Sequence, residues 1–308
     1  MAKNNELDML NGALLPKILM FSLPLALTGI LQLLFNAADV IVVGKFAGST
    51  SLAAVGATSA LVNLLTGAFI GISVGVNILV ARYAGCRDDA RVGRAVHSAI
   101  ALSLVLGVVT FLLGFFLSTP MLEWMATPDD VLALASLYLR IYFIGIPGAL
   151  IYNFAAAILR AYGDTKRPLI FLAISGVLNV FLNLFFVIVC ELDVAGVAIA
   201  TVVSQYVAVV LILICLVRQE GPAKLKLREI RLHPDEALRM IQIGLPAGLQ
   251  SVVFNISNVM VQSCVNSFGA DVIAANTAAT NIAAFTYTAM NSVFHASITF
   301  TSQNLGAR

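Results

Sequence analysis

The chain has 308 residues, of which 60% are hydrophobic and only 11% charged, with a mean hydropathy of +0.95. Soluble domains carry roughly 25% charged residues, so this composition excludes an ordinary water-soluble domain and places the chain in the membrane class. The net charge of +2 comes with no nucleic-acid patch, and the four cysteines (Cys86, Cys190, Cys215, Cys264) show neither metal-ligand nor redox spacing.

Eight apolar segments are long enough to cross a hydrocarbon core that needs about 20 residues. They are 16–43, 51–81, 93–119, 131–159, 168–190, 194–217, 237–266 and 272–303. Lipid cannot satisfy backbone groups, so runs of this length are expected to be helices, and eight in succession predict a polytopic all-α bundle. The N-terminus MAKNNELDML is polar and shows no convincing cleavage site, which predicts that the first helix is retained.

Helix 1 carries Asp39 inside 18–43, a stretch with no other charged residue. An ionised carboxylate at the bilayer centre costs roughly 2.5–3.5 kcal/mol even on lenient scales, so Asp39 is expected to face a wet interior and to be functional. Burial makes such a group able to take and release a proton. Gln32 and Asn36 share its helical stripe and are cavity candidates. Helix 2 contains Gly71-Ile72-Ser73-Val74-Gly75, which matches the G-x-S-x-G pattern of serine hydrolases. That chemistry needs a sharp strand-to-helix turn, whereas these residues sit inside a long apolar helix, so close helix packing is the expectation. No other enzyme motif occurs, and no enzymatic activity is expected.

Helix 4 holds Asn153, a further cavity candidate, and Arg140 near its outer end, where a long side chain is expected to snorkel. On helix 5, Asn179 and Asn183 lie four apart and face the same way as Ser175; on helix 6, Thr201 and Gln205 repeat that spacing. Helix 7 carries Ser251, Asn255, Asn258, Gln262 and Asn266 as one polar stripe, too polar for lipid exposure, and either substrate contact or helix pairing explains it. Pro24, Pro147 and Pro246 either permit bends or are tolerated kinks.

Of the 18 basic residues, 16 fall in loops on one side and Lys45 alone on the other, with Arg140 within helix 4. By the positive-inside rule the N-terminus is expected in the cytoplasm and the chain in the cell membrane. An internal repeat is also visible. Leu23-Pro24, Phe35-Asn36, Asp39, Gly48 and Gly85 recur in order as Leu245-Pro246, Phe254-Asn255, Asn258, Gly269 and Gly306. Both copies start on the same side, which predicts parallel repeats. The expected organisation is a six-helix lobe over 1–217, a basic linker over 218–236 and the first two helices of a second lobe over 237–308. On this reading the chain is cut short after its eighth helix.

Several ordered motifs resemble the multidrug and toxic compound extrusion (MATE) family in its prokaryotic DinF-like branch. They are FNAADVIVVGKFAG (35–48), SLAAVG (51–56), ARYAGCRD (81–88), AVHSAI (95–100), ILRAYGDTKRP (158–168), GVLNVFLN (176–183) and GVAIATVVSQ (196–205). The resemblance implies two six-helix lobes and export of organic cations and other amphiphilic compounds in exchange for protons or sodium ions. It implies a cation site in which Asp39 is joined by Asn179, Asn183 and Thr201. Many relatives carry Asp at the position of Asn183, so this chain has one formal charge there instead of two. That favours protons over sodium, although sodium at Asp39 remains an expectation to test.

The expected function is a cation-coupled antiporter acting through Asp39. The expected substrate cavity includes Gln32, Asn36, Asn153, Gln205, Asn255, Asn258 and Gln262. No cofactor beyond the coupling ion, no metal cluster, no nucleic acid and no obligate protein partner is expected. The alternatives are a lipid-linked saccharide flippase of the same superfamily, whose cavity would need basic residues, and a non-transporting membrane fragment.

Overall fold

Asp39 sits where α1, Leu14–Val42, runs into a five-residue π turn, Val43–Ala47. Gly48 follows with φ +87°, a left-handed conformation that redirects the chain into α2, Gly48–Gly85. Nothing lies near a Cβ built at Gly48, so the dihedral alone calls for glycine there. The protein's architecture comes from a computed structural model that describes residues 7–125, 127–266 and 270–308.

The chain continues through α3 (Asp89–Trp124), α4 (Asp129–Ala161), α5 (Lys166–Leu184), a second π turn (Phe185–Val189), α6 (Asp193–Arg218), α7 (Pro234–Asn266) and α8 (Ala270–Gly306). No strand occurs among the described residues, and the fold is the all-helical polytopic bundle that the apolar runs predict. The helices outrun those runs because polar residues continue or cap them. Asp88, for example, accepts the backbone N–H of Arg91 at 3.0 Å and starts α3 four residues before its apolar segment. Among the described residues, six helical units are long and apolar enough to cross a membrane, with α1 through α2 forming one unit of 72 residues. The eighth segment has the length, 37 residues, but is too polar to be among them.

The helices α2 and α4 form the middle of the bundle. Against α2 pack α3, α4, α7 and α8; α4 also meets α3 and α6; α5 lies against α1 and α6; and α1 lies against α8. One end of the bundle carries the loops 86–88, 162–165 and 219–233, and with them most of the basic residues. At this basic end α2 approaches its neighbours through glycine. A Cβ on Gly71 would fall 2.2 Å from Gly248 Cα, and one on Gly75 would fall 2.2 Å from Met240 O. The hydrolase-like pattern of helix 2 therefore holds two backbones together, and Ser73 Oγ simply donates to Ile70 O of its own helix.

These contacts come in mirrored pairs. A Cβ on Gly85 of α2 would meet Gln303 O of α8, and a Cβ on Gly306 of α8 would meet Arg82 O of α2. Gly67 of α2 faces Ser251 of α7, while Gly29 of α1 faces Thr288 of α8. The pair α1–α2 thus meets the pair α7–α8 as if the two were related by an approximate two-fold axis.

Candidate functional site

The polar stripe of α1 opens onto a cavity of about 580 Å3 enclosed by α1, α2, α4, α5 and α6. Its position follows from one close contact. Gly176 on α5 leaves room for the Phe35 ring, which would lie 1.8 Å from a Cβ there, so α1 and α5 approach closely at this level. Asp39, one helical turn beyond Phe35, faces Asn183, two turns beyond Gly176.

Asn183 is fully buried and Asn179 is 5% exposed. The Asn183 amide Nδ2 donates to Asp39 Oδ1 and also reaches Asn179 Oδ1 at 3.3 Å. Asn179 Nδ2 in turn donates to Thr201 Oγ1 at 3.4 Å, and that hydroxyl donates to Val197 O at 3.0 Å. A continuous polar chain therefore joins α1, α5 and α6. No lysine, arginine or histidine forms an ion pair with Asp39 among the described residues. The carbonyl Oδ1 of Asn183 is buried without a hydrogen-bond partner, an acceptor left open beside the carboxylate. Asp39 and the oxygens of Asn179, Asn183 and Thr201 form a hard donor set that suits a proton or a small cation.

The cavity also takes in Gln32, Asn36, Asn153 and Gln205. Asn153 Nδ2 donates to Ala149 O at 2.8 Å. Of the polar stripe on α7, the described residues Ser251, Asn255 and Asn258 do not line this cavity. Ser251 and Asn255 face Gly67 of α2, Asn258 is exposed, and the side chain of Gln262 lies outside the described residues. Arg140 is exposed and held against α3 by Ser118 Oγ at 3.3 Å and Thr119 Oγ1 at 3.1 Å. His97 is occupied structurally, with Nδ1 against Gly93 O and Nε2 accepting the backbone N–H of Lys226.

Sequence reasoning passed over the contribution of α2 to this cavity, and on α4 it named Asn153 but not the tyrosines. Ser59, Asn63, Thr66 and Ile70 line it from α2 at spacings of 4, 3 and 4, a stripe of the same kind as the one read on helix 7. From α4 come Tyr138 and Tyr142, whose rings stack with centroids 6.1 Å apart and offer aromatic surface to a cation. Among the described residues, no Lys, Arg or His lines this cavity.

A polytopic bundle with a carboxylate-bearing polar cavity among its helices is the architecture of a small-molecule membrane transporter. The MatE family model matches residues 24–185, more than half of the chain, and the chain belongs to this family of multi-pass membrane transporters. It is 31% identical over 268 residues to the probable multidrug resistance protein YpnP of Bacillus subtilis (strain 168), covering 86% of this chain and 59% of that protein. It is 21% identical over 249 residues to the multidrug export protein MepA of Staphylococcus saprophyticus, covering 81% of this chain and 55% of that one. The chain thus spans somewhat over half the length of these relatives.

Among solved structures, it matches a MOP superfamily transporter from Pyrococcus furiosus Vc1 (DSM3638), for which a binding pocket of reverse polarity suggests a different function. The TM-score is 0.89 at 25% identity, over 97% of this chain and 66% of that one. A MATE structure in a bent conformation matches with a TM-score of 0.88 at 25% identity, over 97% of this chain and 67% of that one. The relatives are transporters and not enzymes.

Proposed function

We propose that this protein exports organic cations and amphiphilic compounds by alternating access, and that Asp39 couples export to inward movement of a cation. The observation that carries this reading is the Asp39–Asn183–Asn179–Thr201 chain opening onto a cavity lined, among the described residues, by no basic side chain. An apolar cation would find stacked tyrosines and a carboxylate there, and a proton or small cation would compete with it for that carboxylate. Two ligands that favour different arrangements of the same helices are what exchange requires. A lipid-linked saccharide would bring a pyrophosphate into the same space and meet no cationic side chain, which disfavours the flippase alternative.

The coupling ion is a proton in preference to sodium. Asp39 already accepts an amide N–H from Asn183, and a second acid that would strengthen sodium binding is absent at that position. The bundle divides into a lobe over 1–217, a linker over 218–236 and a second unit over 237–308, with α2 against α7 and α1 against α8 as the surfaces that rearrange. The basic end lies in the cytoplasm, in keeping with the 16 basic residues on that side.

Efflux of a lipophilic cation such as ethidium from cells expressing the gene should fall to background in Asp39→Asn. Efflux at the unaltered rate would reject the proposal. Sodium should leave wild-type efflux unchanged at fixed pH, and sodium-stimulated efflux would reassign the coupling ion. For orientation, a membrane-impermeant maleimide applied to intact cells should label Cys190 and spare Cys86, both of which are exposed at opposite ends of the bundle.

A further inference from the structure

A second pocket, of about 330 Å3, opens at the basic end between α2, α3 and α7, away from the polar cavity. Three guanidinium groups converge on it, Arg82 from α2, Arg91 from α3 and Arg239 from α7, against one lining acid, Asp88. Asp88 is already engaged by Arg91 at 3.2 Å. Arg239 donates to the Tyr83 hydroxyl at 2.9 Å, and that hydroxyl donates to Glu236 at 2.8 Å, which fixes both donors on the pocket wall. Arg82 has no acidic partner among the described residues. The apolar wall, Leu79 and Ile243, belongs to the membrane-ward turns of α2 and α7.

The mirrored packing of the bundle supplies a second, independent observation. Aligning Leu23-Pro24 with Leu245-Pro246 places Lys17 of α1 where Arg239 stands on α7, and Phe21 where Ile243 stands. On the α1–α8 side this place is filled. Met9 packs with Phe21 and Phe300, and Lys17 Nζ donates to the carbonyls of Asp8, at 2.6 Å, and Asn11. On the α2–α7 side the segment leading into α7 is drawn off to α3, where the His233 N–H donates to Ser98 and the Lys226 N–H to His97. The matching place is therefore left open by the preceding segment, with three guanidinium groups at its rim, of which Arg91 meets Asp88 and Arg239 the Tyr83 hydroxyl.

We propose that this pocket binds a phosphate ester, with the anion bridging Arg82, Arg91 and Arg239 and glycerol or acyl carbons against Leu79 and Ile243. Planar guanidinium groups suit bidentate contact with phosphate oxygens. Basic pockets between membrane helices at the face exposed to anionic lipid select phospholipid headgroups. The same chemistry would accept a soluble phosphate ester, and the two sources separate experimentally.

Cys86 lines the pocket and is exposed, so its alkylation by N-ethylmaleimide reports occupancy, with exposed Cys190 at the other end as the internal control. The purified chain would be placed in phosphatidylcholine nanodiscs with or without phosphatidylglycerol, or with inorganic phosphate or glycerol 3-phosphate added, and each cysteine followed by peptide mass spectrometry. Phosphatidylglycerol should slow Cys86 alkylation relative to Cys190, and Arg82→Ala should weaken that protection about fivefold, the effect of one basic side chain near an anionic surface. Protection by the soluble phosphates instead assigns the site to a soluble ester. Absence of protection by any of these probes overturns the proposal. So does protection that survives both Arg82→Ala and Arg82→Glu, exposed-site changes that remove no hydrogen bond seen in the structure.

Discussion

The helix α2 is two different surfaces on one rod. Its outer half, from Thr58 to Ile70, turns hydroxyls and an amide into the cavity beside Asp39. Its basic-end half, from Gly71 to Gly85, carries glycine at positions 71, 75 and 85, where α7 and α8 press against it backbone to backbone. The contrast shows how one bundle is open at one level and shut at another. A side chain keeps helices apart and leaves a space with a chemical lining, whereas a glycine closes the space and forms a seal. Asn77 lies within the sealed half, fastening α2 to α4 through Ala157 O at 3.1 Å and to α8 through the Thr299 hydroxyl at 2.9 Å.

Substitution along α2 tests that contrast most directly. Gly75→Ala puts a methyl 2.2 Å from a backbone carbonyl that cannot rotate away, so the seal must part. Overpacking of this kind costs about 1–3 kcal/mol, and the thermal midpoint in detergent should drop accordingly. Gly56→Ala, on the same helix with nothing within 4 Å of the new methyl, should have the opposite sign. It should stabilise by at most about 1 kcal/mol, through helix propensity alone. Equal losses at both positions would remove the distinction between the two halves.

Asn77→Ala should cost about 1 kcal/mol, for two interhelical hydrogen bonds at roughly 0.6 each. Its effect belongs to the seal, so a cysteine pair across α2 and α8 near Gly85 and Gly306 should cross-link more slowly in the variant. Cavity binding of a lipophilic cation should change little. Unaltered cross-linking would mean that the glycine contacts hold α8 without this tie.

How much of this was legible beforehand depends on the kind of signal. The run of residues around Asp39 is uncharged for a full span, so a buried acid stands out by its cost alone, and the segment lengths fix the helices. The partnership of Asp39 with Asn183 joins positions far apart in sequence. Periodicity puts Asn179 and Asn183 on one face but cannot say which helix that face meets; the family resemblance supplied it. The stripe on helix 7 shows the limit most clearly. Its 4, 3, 4 spacing is as regular as that of Ser59, Asn63 and Thr66, yet Ser251 and Asn255 pack on Gly67 while the α2 residues line the cavity. A polar stripe announces an interior face, and only the neighbour's side-chain volume decides whether that face meets water or another helix. For the same reason Gly71 and Gly75 were readable as a packing surface, whereas α7 as the helix packed there was not.

The smallest effect concerns the segment that fills the α1–α8 side of the basic end. Asp8 accepts the backbone N–H groups of Leu10 and Asn11, at 3.0 and 3.3 Å, and the Asn11 side-chain amide at 3.2 Å. The Leu10 N–H first and the Asn11 amide next hold its carboxyl below the usual value of 3.8. These bonds favour the ionised form in the folded segment, so the stability they add is present above the ordinary carboxylate range. It is lost only as pH falls through the lowered folded value. Met9 should therefore stay docked against Phe21 and Phe300 from neutrality down to about that range and loosen below it. Proteolysis near Met9 by an acid-active protease, compared at each pH with Asp8→Asn, gives the measurement. The variant should be cut faster at pH 5 and above, and the difference should close as the wild-type carboxyl takes up its proton. A gap that persisted into strong acid would mean that Met9 and the Lys17 contacts hold the segment by themselves, and that its capping aspartate contributes nothing to the filled side of the bundle.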